Sequence, residues 1–367
     1  MRIATSHLGN LYITIKAWVQ KLGLGGNLII PPANNQRTLS LGVKYSPEGL
    51  CLPFKMSLGN LIEACEMGAD TLVIAGGAGI CRLGYYAKIQ EQILRDLGYN
   101  FEMIGLSMSE HKLFGLPKLI KRLSNNASWF KVISALRFAV AKQIAMDKIE
   151  RVVQKVRAVE LIKGTANQLY AKAIEAIDNA DDYNTLKKVQ IDYIDQLNHV
   201  AKDTQTKPLI VGIIGEFYVV LEPFSNLNIE SELGKLGVEV RRRTFISEWA
   251  KFSLFFNSLG LDEKSKIHKA ALPYLKRDIG GDGWESVGEK VLHAKEYDGL
   301  IHLAPFTCMP EIVAQNIMPS TKENIPVLPV LCDEQINKTG MLTRLEAFVD
   351  LLKSKRRARN NTQHKES

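Results

Sequence analysis

Three of the chain's five cysteines share one kind of local setting. Cys81 falls in Gly76–Tyr86, after the apolar run Thr71–Ala75 and before a segment in which Ile89, Ile93, Leu94 and Leu97 recur at helical spacing. A β-branched run bounded by glycines reads as a buried strand of a parallel sheet, so Cys81 is expected in the turn at a strand's carboxyl end, where open α/β sheets carry their chemistry. Cys51 is read as following an extended Thr38–Val43 and preceding a helix that Pro53 opens. Cys308 follows Gly299–Ala304, again a strand pattern, and precedes a helix with Pro310 near its start. Turns at the carboxyl ends of parallel strands face a common crevice, so two thiols from one half and one from the other could converge there.

A helix N-terminus favours the thiolate, and thiolates are the ligands of iron–sulfur clusters. Three cysteines on a 4Fe-4S cluster leave one iron open to water, substrate or another ligand. Zinc is the competing metal, but its structural sites use close Cys-x-x-Cys pairs, which this chain lacks. On spacing alone, ordinary buried thiols fit equally well. Cys65 sits among the packing positions of the expected helix Pro53–Met67 and reads as structural, and Cys332, closing the strand Val327–Leu331, is a fourth candidate ligand. The seven histidines form no metal-site spacing, and His302 reads as a strand core residue.

These turns need elements to hold them. Residues 1–116 alternate helical and extended patterns: Tyr12–Leu22 helical, Asn27–Ile30 extended, Pro53–Met67 helical, Thr71–Ala75 extended, Tyr85–Leu97 helical and Phe101–Leu106 extended. Such alternation means βαβ units and a parallel sheet. Over 117–205 the strand signals vanish, and Val132, Ile133, Leu136, Val140 and Ile144 begin a helical repeat, read as one long helix followed by two more. The alternation resumes over 206–353, with strands expected at Leu209–Ile214, Val238–Val240, Gly299–Ala304 and Val327–Leu331 and helices at Ile229–Leu236, Ile312–Met318 and Arg344–Lys353. The fold class is therefore α/β: two Rossmann-like parallel-sheet lobes with a helical insert between them and an iron–sulfur site at the lobe boundary. Residues 354–367 read as a disordered basic tail, because Lys353–Ser367 carries +5 of the net +8 charge.

An apolar content of 46% with 23% charged residues is that of a globular protein, and no apolar run is long enough to span a membrane. No signal-peptide pattern follows Met1, and the cysteine usage suits a reducing compartment, so a cytoplasmic location is expected. Since the excess charge is concentrated in the tail, nucleic acid is not an expected partner. Gly77 and Gly79 begin a dinucleotide fingerprint that Arg82 breaks, Gly23–Gly26 precedes a strand instead of a helix, and no phosphate-binding Gly-Lys loop occurs. Arg82, Glu216 and Glu222 are the polar groups nearest the expected crevice and read first as loop-structuring or capping residues.

Taken in order, Pro47-Glu48-Gly49-Leu50-Cys51-Leu52-Pro53-Phe54-Lys55, Gly79-Ile80-Cys81-Arg82-Leu83-Gly84-Tyr85-Tyr86, Val211-Gly212-Ile213-Ile214-Gly215-Glu216-Phe217-Tyr218, Pro305-Phe306-Thr307-Cys308-Met309-Pro310-Glu311 and Thr343–Asp350 resemble the 2-hydroxyacyl-CoA dehydratase D-component-like family, in its acyl-CoA dehydratase activase-related (CoA protein activase) branch. The resemblance spans Met1 to about Lys353. It implies two α/β domains and a 4Fe-4S cluster held by Cys51, Cys81 and Cys308 at their boundary. It further implies a low-potential cluster used for one-electron chemistry and fed by an actin-like, ATP-dependent activator, in a 2-hydroxyacyl-CoA dehydratase subunit or reductase component. A second dehydratase subunit or a homodimer is the implied assembly, and a non-catalytic electron carrier serving a partner enzyme is the alternative. No nucleotide-binding fold of the activator is present in this chain, and no substrate is named by its residues.

Overall fold

The computed structural model describes residues 1–76, 81–106, 112–251 and 263–366. Its first part runs β1 (Ile3–Thr5), α1 (Leu11–Lys21), β2 (Leu28–Ile29), α2 (Gln36–Tyr45), α3 (Leu52–Glu66), β3 (Thr71–Ala75), α4 (Tyr86–Asp96), β4 (Glu102–Leu106) and α5 (Lys112–Leu123). Three helices follow: α6 (Trp129–Val159), α7 (Thr165–Asn179) and α8 (Tyr183–Asn198). The remainder is β5 (Leu209–Gly215), α9 (Phe217–Leu221), α10 (Ile229–Lys235), β6 (Val238–Arg242), α11 (Ile246–Lys251), α12 (Glu263–Ala271), α13 (Gly283–His293), β7 (Gly299–Pro305), α14 (Met309–Ile317), β8 (Val327–Cys332) and α15 (Lys338–Glu366).

Two four-stranded parallel sheets result, ordered β2-β1-β3-β4 and β6-β5-β7-β8. Both have the same order: the first strand is central, the second lies to one side, and the chain then crosses to the other. Strand order therefore reverses beside β1 and β3 in one sheet and beside β5 and β7 in the other, the positions where doubly wound sheets open a crevice. The mixed α/β class and the two parallel-sheet lobes expected from the alternation are present. By contact density the chain forms two compact units, 1–143 with 279–281 and 144–278 with 282–367. Residues 117–205, expected as an insert, are helical and are divided between these units, the break falling inside α6.

In the first unit α3 is the central element, with every residue from Leu52 to Cys65 buried. It packs on α2 so closely that a Cβ on Gly42 would lie 1.8 Å from the Lys55 carbonyl oxygen, and one on Gly59 would lie 2.0 Å from that of Thr38. This contact corrects the extended reading of Thr38–Val43. Asn35 caps the helix by accepting from the backbone N–H groups of Arg37 at 2.8 Å and Thr38 at 3.3 Å. Thr38, fully buried, donates its hydroxyl to Glu63 Oε2 at 2.9 Å, so a residue with strand preference is held in helix by its partner on α3.

In the second unit a buried charge network joins the C-terminal half of α6 to the sheet. Arg242 pairs with Glu150 and Glu230, each at 2.7 Å, and Arg157 stands 3.5 Å from Glu230. Burial pushes the Glu150 carboxyl up to about 6, whereas the two arginines and Gln154 hold Glu230 low despite its burial. The basic C-terminus also departs from expectation: residues 354–366 continue α15 as helix instead of forming a disordered tail. Arg356 supplies the physical reason at its start. Its guanidinium pairs with Asp298 and donates to the carbonyls of Lys207 and Pro208, each at 3.0 Å, so part of the excess charge is used internally.

Candidate functional site

Cys51 and Cys81 lie in the first unit on loops that are fastened together. Cys51 is the N-cap of α3, with Pro53 in the first turn, and its sulfur is 2.8 Å from the Tyr86 hydroxyl on α4. Cys81 is the N-cap of a short 3-10 turn, Arg82–Tyr85, that runs into α4, and Arg82 donates to the Gly49 carbonyl at 2.7 Å. The turn after β3 is thus bound to the turn before α3 at two points, one of them the Cys51 sulfur itself. Phe54 meets the Tyr86 ring edge-on at 5.0 Å, which holds Tyr86 against the start of α3. Because α2 is a helix, the turn carrying Cys51 joins two helices, and the expected strand end before it is absent. Residues 77–80, which include Gly77 and Gly79 of the broken fingerprint, lie outside the described residues, as does His111.

Cys308 lies in the second unit in the setting its sequence implies, after β7 and as the N-cap of α14, with Pro310 in the first turn. The turn is tight: Phe306 donates its N–H to the Cys332 carbonyl at 2.9 Å, and Cys308 donates to that of Pro305 at 3.0 Å. Thr307 between them adopts φ of +68°, a left-handed conformation that costs a β-branched residue about 1–3 kcal/mol. Beside it, Gly215 ends β5 at φ of +135°, where a Cβ would stand 1.9 Å from the Leu303 carbonyl oxygen. Only glycine fits there, and Glu216 is placed directly at the point where the strand order reverses.

Glu216 caps α9 by accepting from the Val219 N–H at 3.0 Å, and Asp282 accepts from the N–H of Phe217 at 2.9 Å. Burial and then the Asp282 charge push the Glu216 carboxyl up to about 8, so it is protonated at neutral pH. Burial, followed by the field of Glu216, pushes the Cys332 thiol up to about 12. Burial does the same to Cys65, to about 11. These two thiols remain protonated at neutral pH.

Arg82 and Glu222 fill the structural roles the sequence suggests, Glu222 accepting from the Phe224 N–H at 3.3 Å. His302 is fully buried in β7 and pairs with Glu311 at 2.6 Å. Tyr86, Thr307 and Asp282 escape sequence reasoning, because nothing in residue type or spacing marks a hydroxyl that will meet a sulfur or a threonine that will turn left-handed. The structure joins the Cys51 and Cys81 loops and seats Cys308 in the other unit. Among the described residues, no three His, Cys, Asp or Glu side chains are gathered closely enough to hold a metal ion. No protein-family model and no curated protein matches the chain.

Proposed function

We propose that this chain is an iron–sulfur protein of the 2-hydroxyacyl-CoA dehydratase type, with Cys51, Cys81 and Cys308 as the ligands of a 4Fe-4S cluster. The observation that carries the reading is the double fastening of the Cys51 and Cys81 turns by Tyr86 and Arg82. Two loops, each carrying one of the cysteines, are tied to each other. The donor chemistry fits: all three thiols occupy N-cap positions, where the helix or turn terminus favours a thiolate, and thiolates are the ligands of such clusters. Cys65 and Cys332 are held as thiols by burial.

When bound, such a cluster supplies one-electron transfer at low potential. The protein's own groups have separate tasks. Tyr86 is placed to donate a hydrogen bond to the Cys51 sulfur, and Arg82 fixes the backbone that presents Cys81. Thr307 sets the turn that aims Cys308, and Glu216 holds a proton at its carboxyl at neutral pH. An ATP-dependent activator would be the electron source and a 2-hydroxyacyl thioester the substrate class.

Anaerobic purification with iron and acid-labile sulfide analysis tests the reading. The expected result is about four irons and four sulfides per chain, as the composition of a 4Fe-4S cluster requires. Cys51→Ser, Cys81→Ser and Cys308→Ser should each lose most of that iron, while Cys65→Ser and Cys332→Ser should keep it. Full iron retention in the three capping variants, or no iron in the native chain, would overturn the assignment.

A further inference from the structure

The corner where α5 meets α6 leaves three large apolar side chains in solvent. Asn125 and Asn126, at φ of +50° and +58°, turn the chain there, and α6 begins with Trp129, Phe130 and, one turn on, Ile133, exposed by 43%, 85% and 53%. Exposed apolar residues are ordinary singly, but three together on one corner mark a contact surface. The other side of this helical turn is the one that packs, Val132 and Ala135 being buried with Leu22 just after α1.

Cations surround this corner and acids do not. From Lys112 to Met146 the sequence holds seven Lys and Arg and no Asp or Glu. Arg137, exposed, follows Phe130 and Ile133 on the same helical face. Lys121 stands 5.0 Å from the centre of the Trp129 ring and donates to the Ala127 carbonyl at 2.5 Å, and Lys131 donates to the Leu22 carbonyl at 3.0 Å. Lys118 lies one turn before Lys121 on α5 and is exposed. Arg122 pairs with Glu102, but among the described residues no carboxylate pairs with Lys118, Lys121, Lys131 or Arg137. Four uncompensated cations thus accompany three apolar side chains. A second copy of the chain would bring cations against cations here, so the face does not favour self-association. Phe130, projecting almost bare, suits a fluid phase that closes round it better than a rigid partner that must supply a matching pocket. Ile133 has no ring face for a nucleobase to stack on, whereas an acyl phase accepts all three side chains.

We propose that the α5–α6 corner docks on an anionic lipid surface, with Trp129, Phe130 and Ile133 entering the interface and Lys118, Lys121, Lys131 and Arg137 meeting the headgroups. The chain lies on such a surface without spanning it, and the site is independent of the cysteines and of any cluster. The test is co-sedimentation of the full chain with vesicles of phosphatidylcholine containing phosphatidylserine and with vesicles of phosphatidylcholine alone. Binding to the anionic vesicles is expected to be at least about tenfold tighter than to the neutral ones and to weaken as salt is added. Phe130→Ser, which leaves the charge unaltered, and Lys118→Glu with Arg137→Glu should each weaken it by about tenfold, and all three positions are exposed, so the native circular dichroism should be kept. Lys355→Glu with Arg357→Glu, on the basic end of α15, should change it by less than about twofold. Tryptophan emission should move to shorter wavelength on binding, and Trp129→Phe should remove that shift. Equal binding to neutral vesicles, unchanged binding in Phe130→Ser, a loss confined to the α15 variant, or an emission shift that survives Trp129→Phe would overturn the proposal. So would displacement of the chain from the vesicles by a single-stranded oligonucleotide held through the same residues, which would assign the face to nucleic acid.

Discussion

Glu216 is legible in the sequence only as an acid after a strand, and its chemistry comes from what surrounds it. Its pKa rises from 4.5 to about 8 through burial and Asp282, so the folded chain keeps a proton that the unfolded chain releases. The sign follows: the stabilisation is complete below pH ~4.5 and falls as pH rises towards ~8, by at most roughly 1.4 kcal/mol per pH unit for one group. Glu150, raised to about 6, acts in the same direction at lower pH, so the window from pH 6.5 to 8 isolates Glu216. The urea midpoint of the native chain is expected to fall across that window, and Glu216→Gln, which keeps the cap to Val219, is expected to flatten the fall. Parallel slopes would place the titration elsewhere. The helix-start positions of Cys51 and Cys308 were legible from the prolines that follow them and the turn of Cys81 from the strand before it, whereas Tyr86, which meets the Cys51 sulfur, was not, because a contact across 35 residues leaves no local trace.

At the level of elements, β3 lies where its apolar run places it, and β5, β7 and β8 extend one residue beyond theirs. Their signal is strong because strands buried on both faces read as continuous apolar runs. β1, three residues long, has too little pattern to be seen, and α2 was misread because Thr38 and Val43 favour strands locally. Its helical state depends on α3, with the two glycines at the crossing as the only sequence trace. Gly42→Ala and Gly59→Ala should therefore each destabilise by roughly 2–4 kcal/mol, since neither opposing carbonyl can retreat without moving a helix. Chemical denaturation checks this, and a loss below ~1 kcal/mol in both would mean that the helices separate easily. Because Cys51 begins α3, the same substitutions should also lower iron content under the proposed function.

At the scale of the molecule, alternation along the chain makes the two parallel sheets legible, and the long helical stretch between them is equally plain. What the sequence does not disclose is that α6 serves both compact units, since its periodicity runs unbroken through the division after Gln143. Ala145, almost fully buried, lies just beyond that point. Ala145→Pro removes a helical hydrogen bond and should cost about 3 kcal/mol or more. Calorimetry is expected to resolve two transitions in this variant, and one undivided transition would show that the units do not depend on α6 for joint melting. The shared strand order also sets a timetable during synthesis. All four strands of the first sheet, and with them Cys51 and Cys81, lie before residue 107, whereas the second sheet is completed only by β8 at Cys332. At roughly 5–20 residues per second, the ribosome needs about 10 to 45 seconds to cover that interval. The loops of Cys51 and Cys81 are therefore translated before Cys308, and under the proposed function a pathway that loads metal would meet the half-built site first.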